Sequence, residues 1–144
     1  MASLLRRAIQ QSISDAFDLA KTFATTLYTG TSASLNVVTP INSVANESLL
    51  WIKNRDALDS HNLVDTVRGA ILNLASDTTA AEVSDSRVTS FNTDGFSLSS
   101  DVVVNTSGED YVAWQFMKAQ GFFDIVEYTG DGVAGKTVAL DLDD

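Results

Sequence analysis

Cysteine is absent from the 144-residue sequence, and proline and histidine each occur once. Without cysteine the chain has neither a disulfide framework nor a thiolate metal site. A zinc site would have to combine the single histidine, His61, with carboxylates, and no nucleophile-elbow pattern accompanies it for a serine triad. We therefore interpret His61 as a loop or strand-end histidine. The sequence predicts no enzyme, no metal site and no cofactor.

Long apolar runs and excess positive charge are also missing. No window approaches the roughly 18 apolar residues that a membrane span needs, and the N-terminus lacks the apolar core of a signal peptide. Residues 1–22 carry three basic and two acidic residues, whereas residues 23–144 carry six basic and 17 acidic ones. Because such an acidic body repels phosphate backbones, the sequence does not predict nucleic-acid binding. The missing apolar run likewise predicts no membrane insertion.

An amphipathic helix is predicted over residues 3–20. Apolar side chains recur every four residues and form one stripe of Leu5, Ile9, Ile13 and Phe17. An isolated helix of this length is marginal in water, so we expect it to pack on something. We interpret residues 1–21 as an attachment and oligomerisation segment, with the stripe as its assembly interface. The alternative is that the helix packs on its own domain.

The strongest strand signal is the stretch from Tyr111 to Met117, which predicts a central strand. Val112, Trp114 and Phe116 alternate with smaller or more polar neighbours, as expected when successive side chains point to opposite sheet faces. Further strands are predicted at 22–28, 34–39, 48–53, 62–67, 70–74, 88–91 and 96–98. Turns are predicted at Arg68-Gly69 and at 92–95. The expected fold class is mainly β, with the N-terminal helix followed by a β-sandwich-like (jelly-roll or lectin-like) domain over 22–121.

A short internal repeat relates the start of this domain to the segment that follows it. Phe123 and the triplet Tyr128-Thr129-Gly130 match Phe23 and Tyr28-Thr29-Gly30 at the same spacing. An alternating stretch follows each copy, so the same opening hairpin is predicted twice. Residues 122–144 are therefore interpreted either as a hairpin that completes the first sheet or as the start of a second unit.

Three carboxylates, Asp56, Asp59 and Asp65, lie near His61 in the sequence. They are compatible with a carboxylate pair for glycoside hydrolysis or with calcium ligation. Solvated loop charges with local ion pairs are the other explanation. We favour the second interpretation and predict a structural pair of Asp65 with Arg68 that holds the turn.

The aromatic residues offer a further alternative, a platform on which a sugar stacks. The five residues considered are Trp51, Trp114, Tyr28, Tyr111 and Tyr128. Both tryptophans lie in apolar runs and are predicted to belong to the core. The tyrosines lie near predicted turns, which makes them the better candidates for an exposed platform.

Five stretches, in order, resemble an uncharacterised domain that recurs in tail-fibre-like and other appendage proteins of marine bacteriophages. They are residues 50–56, 61–70, 89–98, 104–114 (Val104-Asn105 with Tyr111-Val112-Ala113-Trp114) and 128–132, so the resemblance covers about residues 22–140. It implies a virion structural role, repeated β domains and no catalytic residues. Together with the apolar stripe of residues 3–20, it leads us to expect a homotrimeric tail-fibre or baseplate protein whose helix docks to the tail while the β domain projects toward the host. The alternative is a lectin-like module that binds a host surface glycan.

Overall fold

The computed structural model describes residues 18–142, and the predicted stripe of Leu5, Ile9, Ile13 and Phe17 lies outside them. The described chain is mainly β and has two antiparallel sheets. Its helical turns are α1 (Leu19–Thr22) and α2 (Val102–Asn105). Its strands are β1 (Phe23–Thr29), β2 (Leu35–Val38), β3 (Ser48–Asn54), β4 (Asn62–Asp65), β5 (Gly69–Leu74), β6 (Val83–Ser84), β7 (Val88–Asn92), β8 (Gly95–Leu98) and β9 (Asp110–Met117).

The larger sheet has the strand order β1-β9-β3-β4-β5-β6, which confirms β9 as a central strand. β9 pairs with β1 on one side and with β3 on the other, and Trp114 lies opposite Thr25 and Trp51. Its apolar alternation suits this position. A central strand is paired along both backbone edges, and its side chains pack against neighbouring strands on both faces of the sheet.

One hydrophobic core draws on both sheets. The smaller sheet, in the order β2-β8-β7, contributes Val37, Val88, Phe96 and Leu98. The larger sheet contributes Leu50, Ile52, Val64, Tyr111 and Ala113, and α2 adds Val104. The core face of β9 is therefore the set Tyr111, Ala113 and Gln115, each at most 1% exposed.

The assignment of both tryptophans to the core was wrong. Trp51 and Trp114 are half-buried and lie on the opposite side of the larger sheet, which we call the outer face. Both faces of β9 are rich in apolar side chains, and period-two alternation does not identify the face that a second sheet covers. Which face of β9 is covered depends on the strands that pack against it, and those strands are distant in sequence.

The hairpin formed by β7 and β8 confirms the turn predicted at residues 92–95. Phe91 lies directly opposite Phe96, and Asn92 lies opposite Gly95. Gly95 has φ +136°, and a Cβ at this position would lie 2.0 Å from the carbonyl oxygen of Val37. The position therefore requires glycine for both its backbone conformation and its close approach to β2.

β1 and β2 do not form the predicted opening hairpin, because β1 pairs with β9 and β2 with β8, in different sheets. In residues 122–142 the structure has no strand, and Phe123 makes an isolated bridge to Ala119. β1 is held extended by seven paired residues of β9, and residues 123–129 have no such partner among the described residues. The idea of a second unit stays a prediction.

Candidate functional site

Four aromatic side chains on the outer face form a groove of about 300 Å³. We call Phe23, Trp51, Trp114 and Phe116 the aromatic groove. The Trp51 and Trp114 rings meet edge to face with centroids 5.5 Å apart, and the Phe23 and Phe116 rings are 4.9 Å apart. The pairing registers of β1, β9 and β3 bring these residues together. The groove is thus built on strands, which hold the rings in fixed positions.

Further apolar side chains lie on the same face of the sheet. Leu63 lies opposite Trp51 on β4, and Leu74 lies opposite Leu63 on β5. On the other side Leu27, which is 62% exposed, follows on the same face of the edge strand β1. Thr25 lies between Phe23 and Leu27 on this face, so the apolar surface is interrupted there.

A hydrogen bond fixes one ring of the groove. The Trp51 indole Nε1 donates to Nδ1 of His61 over 2.7 Å, and the two rings are tilted with centroids 5.6 Å apart. His61 stands immediately before β4, as expected for a strand-end histidine. Since Nδ1 accepts this bond, it is the unprotonated ring nitrogen. His61 therefore orients Trp51.

The predicted pair of Asp65 and Arg68 is confirmed. Their side chains approach to 2.6 Å and are 5% and 14% exposed, and Arg68 also contacts Glu82 at 2.5 Å. Asp65 Oδ1 accepts hydrogen bonds from the backbone N–H groups of Val67 and Arg68 at 3.0 and 2.8 Å. One carboxylate thus closes the β4–β5 turn through both backbone and side-chain contacts.

The other two carboxylates near His61 have separate partners. Asp59 accepts from Asn54 Nδ2 at 2.7 Å, and the same amide nitrogen donates to Glu109 at 2.6 Å. Asp56 accepts from the backbone N–H of Asp110 at 2.7 Å. The structure therefore uses these side chains to tie the β3–β4 loop to the start of β9. Sequence reasoning missed Asn54 and Glu109, which are 55 residues apart and share no motif.

The ammonium group of Lys53 closes the same loop. Its Nζ donates to the carbonyl oxygens of Asn54, Ala57 and Asp59 at 2.8, 3.1 and 2.9 Å. A lysine of the chain itself thus satisfies a set of converging carbonyls of the kind that binds cations. Within residues 18–142, no group of three or more His, Cys, Asp and Glu residues is arranged to hold a metal ion.

The tyrosines do not form the exposed platform that was considered as an alternative. Tyr111 is fully buried, and Tyr28 stacks on it with centroids 5.1 Å apart and donates to the carbonyl oxygen of Val104 at 2.7 Å. Burial raises the pKa of Tyr28 well above its usual range, and repulsion from Tyr111 raises it further. Tyr128 is 64% exposed and lies apart from these rings, beneath Lys136.

These features define a mainly β domain with a structural polar network and an apolar outer face. The chain belongs to a family described as a domain of unknown function (DUF7483), whose model matches residues 18–144. No curated protein and no solved structure matches the chain. No helix among residues 18–142 is both long enough and apolar enough to cross a membrane.

Proposed function

We propose that this chain is a structural component of a bacteriophage virion, a tail-fibre or baseplate appendage protein. Its motifs, in order over residues 22–140, support this through their resemblance to the repeated domains of marine phage appendages. In this proposal residues 1–21 attach the protein to the tail or baseplate as a homotrimer. The two sheets form a β-sandwich of jelly-roll or lectin-like type that projects toward the host.

The apolar outer face is the single observation that carries the assembly role. The cores of protein interfaces are enriched in aromatic residues and depleted of charge, which describes the aromatic groove. The groove also offers few polar groups to a ligand, since the Trp51 indole already donates to His61. A small-molecule site needs placed polar groups to fix orientation. The groove therefore fits apolar side chains of another protein subunit better than it fits a polar ligand.

The attachment step rests on the stripe of Leu5, Ile9, Ile13 and Phe17. Replacing Ile9 and Ile13 with Asp places two charges on the stripe, and we expect the oligomer to dissociate to monomers. The matched control replaces Gln10 and Gln11, which lie off the stripe, with Asp. Light scattering coupled to intact-mass spectrometry gives the oligomeric state, and circular dichroism checks that the β domain stays folded. Unchanged assembly of the Ile9 and Ile13 variant would exclude the stripe as the interface.

A carbohydrate-binding module is the second candidate, and the half-buried Trp51 and Trp114 rings at the outer face favour it. Indole faces stack on the apolar faces of sugar rings, so a Trp114→Ala variant should lose glycan binding. Screening both proteins on an array of bacterial surface polysaccharides tests this directly. If Trp114→Ala changes assembly and the parent protein retains no glycan, the outer face is an assembly surface.

A further inference from the structure

β1 forms one edge of the larger sheet. It pairs with β9 along one side, and no other strand within residues 18–142 pairs with its other side. An edge strand presents a row of unpaired N–H and C=O groups, with which a strand of another chain can pair. The open side of β1 is therefore a candidate interaction surface.

Every second residue of β1 directs its backbone groups to this open side. The N–H of Gly30, just after the strand, donates to the carbonyl oxygen of Glu109 at 2.8 Å, on the β9 side. The carbonyl oxygen of Asp110, which lies opposite Thr29, instead accepts from the backbone N–H of Arg55 at 2.8 Å, on the β3 side. Because hydrogen-bonded and non-hydrogen-bonded pairs alternate along an antiparallel ladder, the even-numbered residues of β1 bond to β9. The residues whose backbone groups point outward are therefore Phe23, Thr25, Leu27 and Thr29.

β1 lacks the features by which soluble proteins protect the edges of their sheets. Its seven residues include no charged residue and no proline, and its register with β9 is continuous. The opposite edge of the same sheet, β6, has two residues and lies between Glu82 and Asp85. In the smaller sheet, β2 has four residues and the register of β7 with β8 is irregular. Proteins shorten, bend or charge the edges that must stay free, so β1 is the edge that suits a partner strand.

The side chains of β1 favour a second copy of the same chain as that partner. On the outer face the strand presents Phe23, Thr25 and Leu27, an apolar residue on each side of a threonine. This order is the same in both directions, as a two-fold axis at Thr25 requires. Such an axis places Phe23 of one copy opposite Leu27 of the other, and Leu27 is 62% exposed in the single chain. Two copies with a net charge of −10 repel each other, and the uncharged β1 adds nothing to that repulsion.

We propose that β1 pairs with β1 of a second copy, antiparallel across a two-fold axis perpendicular to the sheet, so that the two larger sheets become one. At the axis the N–H of each Thr25 donates to the carbonyl oxygen of Thr25 in the other copy. Beside it the N–H of Leu27 donates to the carbonyl oxygen of Phe23 in the other copy, whereas the N–H of Phe23 already donates to Leu19 in its own chain. Both aromatic grooves then lie on one continuous outer face. This contact does not involve the N-terminal stripe and goes beyond the assembly proposed above.

Substitutions at Thr25 of the full chain test the pairing. Thr25→Pro removes the outward N–H but no bond to β9, and proline is tolerated where the N–H of an edge strand faces solvent. Because the dimer loses both bonds at its axis, we expect the dissociation constant of the pairing to rise at least about tenfold. Thr25→Lys sets two like charges opposite each other and should weaken the pairing without altering the backbone. Thr25→Val, which keeps the N–H and adds no charge, is the matched control.

Light scattering over a dilution series gives the mass of each protein, with and without Asp at residues 9 and 13 of the stripe. If the stripe forms a trimer, the parent should be a hexamer, the stripe variant a dimer and the Thr25→Pro variant a trimer. A parent that is a dimer with or without the stripe substitutions supports the pairing and contradicts assembly through the stripe. The pairing is overturned if the stripe variant stays monomeric up to about 1 mM, or if Thr25→Pro and Thr25→Lys both keep the mass of the parent.

Residue-resolved hydrogen exchange identifies what covers the edge. In the dimer the outward amides of Thr25 and Leu27 should exchange as slowly as those of Thr26 and Tyr28, which bond to β9. In Thr25→Lys the amide of Leu27 should exchange faster, while Thr26 and Tyr28 stay protected. Slow exchange of both outward amides in a monomeric protein would mean that residues 1–17 of the same chain cover the edge, and this would overturn the proposal.

Discussion

The indole of Trp51 donates a 2.7 Å hydrogen bond to His61 Nδ1, and this bond joins the end of the β3–β4 loop to the outer face of the larger sheet. The lone histidine of the chain therefore serves the aromatic groove. It positions one of the four aromatic rings that line the groove. This contact gives His61 a structural role at the groove.

Replacing His61 with Leu should loosen Trp51. We expect a loss of about 1 kcal/mol in the free energy of unfolding, the ordinary contribution of one hydrogen bond. Acrylamide should quench Trp51 more strongly, measured in a Trp114→Phe background so that one tryptophan reports. His61→Asn, which keeps an acceptor close to the position of Nδ1, is the control and should retain most of the protection. Equal quenching in all three proteins would show that the hydrogen bond does not hold the ring.

The Asp65–Arg68 pair provides a sharper test of stability. Arg68→Met leaves the carboxylate of Asp65 buried without its cation, and breaking a buried pair in this way costs about 3–5 kcal/mol. The exposed pair of Arg55 and Asp110, 3.8 Å apart, is the matched control. Arg55→Met should cost at most about 1 kcal/mol, because water screens exposed pairs. Urea unfolding of the two variants compares the costs, and similar values would contradict a structural role for Asp65 in the turn.

Tyr28 should make the fold sensitive to alkali. Its pKa is raised in the folded state, so the stability it contributes is complete below the unfolded tyrosine pKa of about 10 and falls as the pH rises beyond it. Tyr28→Phe removes the ionisable group and should flatten this decline. Part of the decline should remain, because burial also raises the pKa of Tyr111. Tyr128→Phe, at an exposed position, should leave the decline unchanged. Urea midpoints from pH 8 to pH 11 provide the comparison, and parallel curves for the parent and Tyr28→Phe would rule the effect out.

Contacts between residues close in sequence were predictable. The Asp65–Arg68 pair spans three residues, and the β7–β8 turn rests on Asn, Asp and Gly chemistry that acts within four residues. Period-two alternation likewise located the long strands, because each follows from side chains on the strand itself. Interactions between residues close in sequence were therefore enough to predict the positions of the long strands and the Asp65–Arg68 contact.

Contacts between distant residues were not predictable. The buried bonds that Gln115 makes with Thr39 and Ser43 span 76 and 72 residues, and no motif in the sequence relates these positions. The aromatic groove was missed for the same reason, since β1, β9 and β3 are brought together by sheet order. A tryptophan in an apolar run has the same local pattern whether it faces the core or the outside.

The segment after β9 is fastened to the sheet by Asp124, which carries the last prediction. Its side chain is 2% exposed, accepts from the backbone N–H groups of Ile125 and Asp141 at 2.9 and 2.8 Å, and lies 3.0 Å from Lys118. The N–H of Asp141 and then the ammonium of Lys118 lower the pKa of Asp124 below its usual range. The anchoring is therefore present above the usual aspartate pKa and is lost as the pH falls through the lowered one.

Asp124→Asn should speed hydrogen exchange across residues 121–142 at neutral pH without affecting the core strands, whereas Glu127→Gln, at an exposed position, should not. Unchanged exchange in Asp124→Asn would mean that other contacts hold this segment.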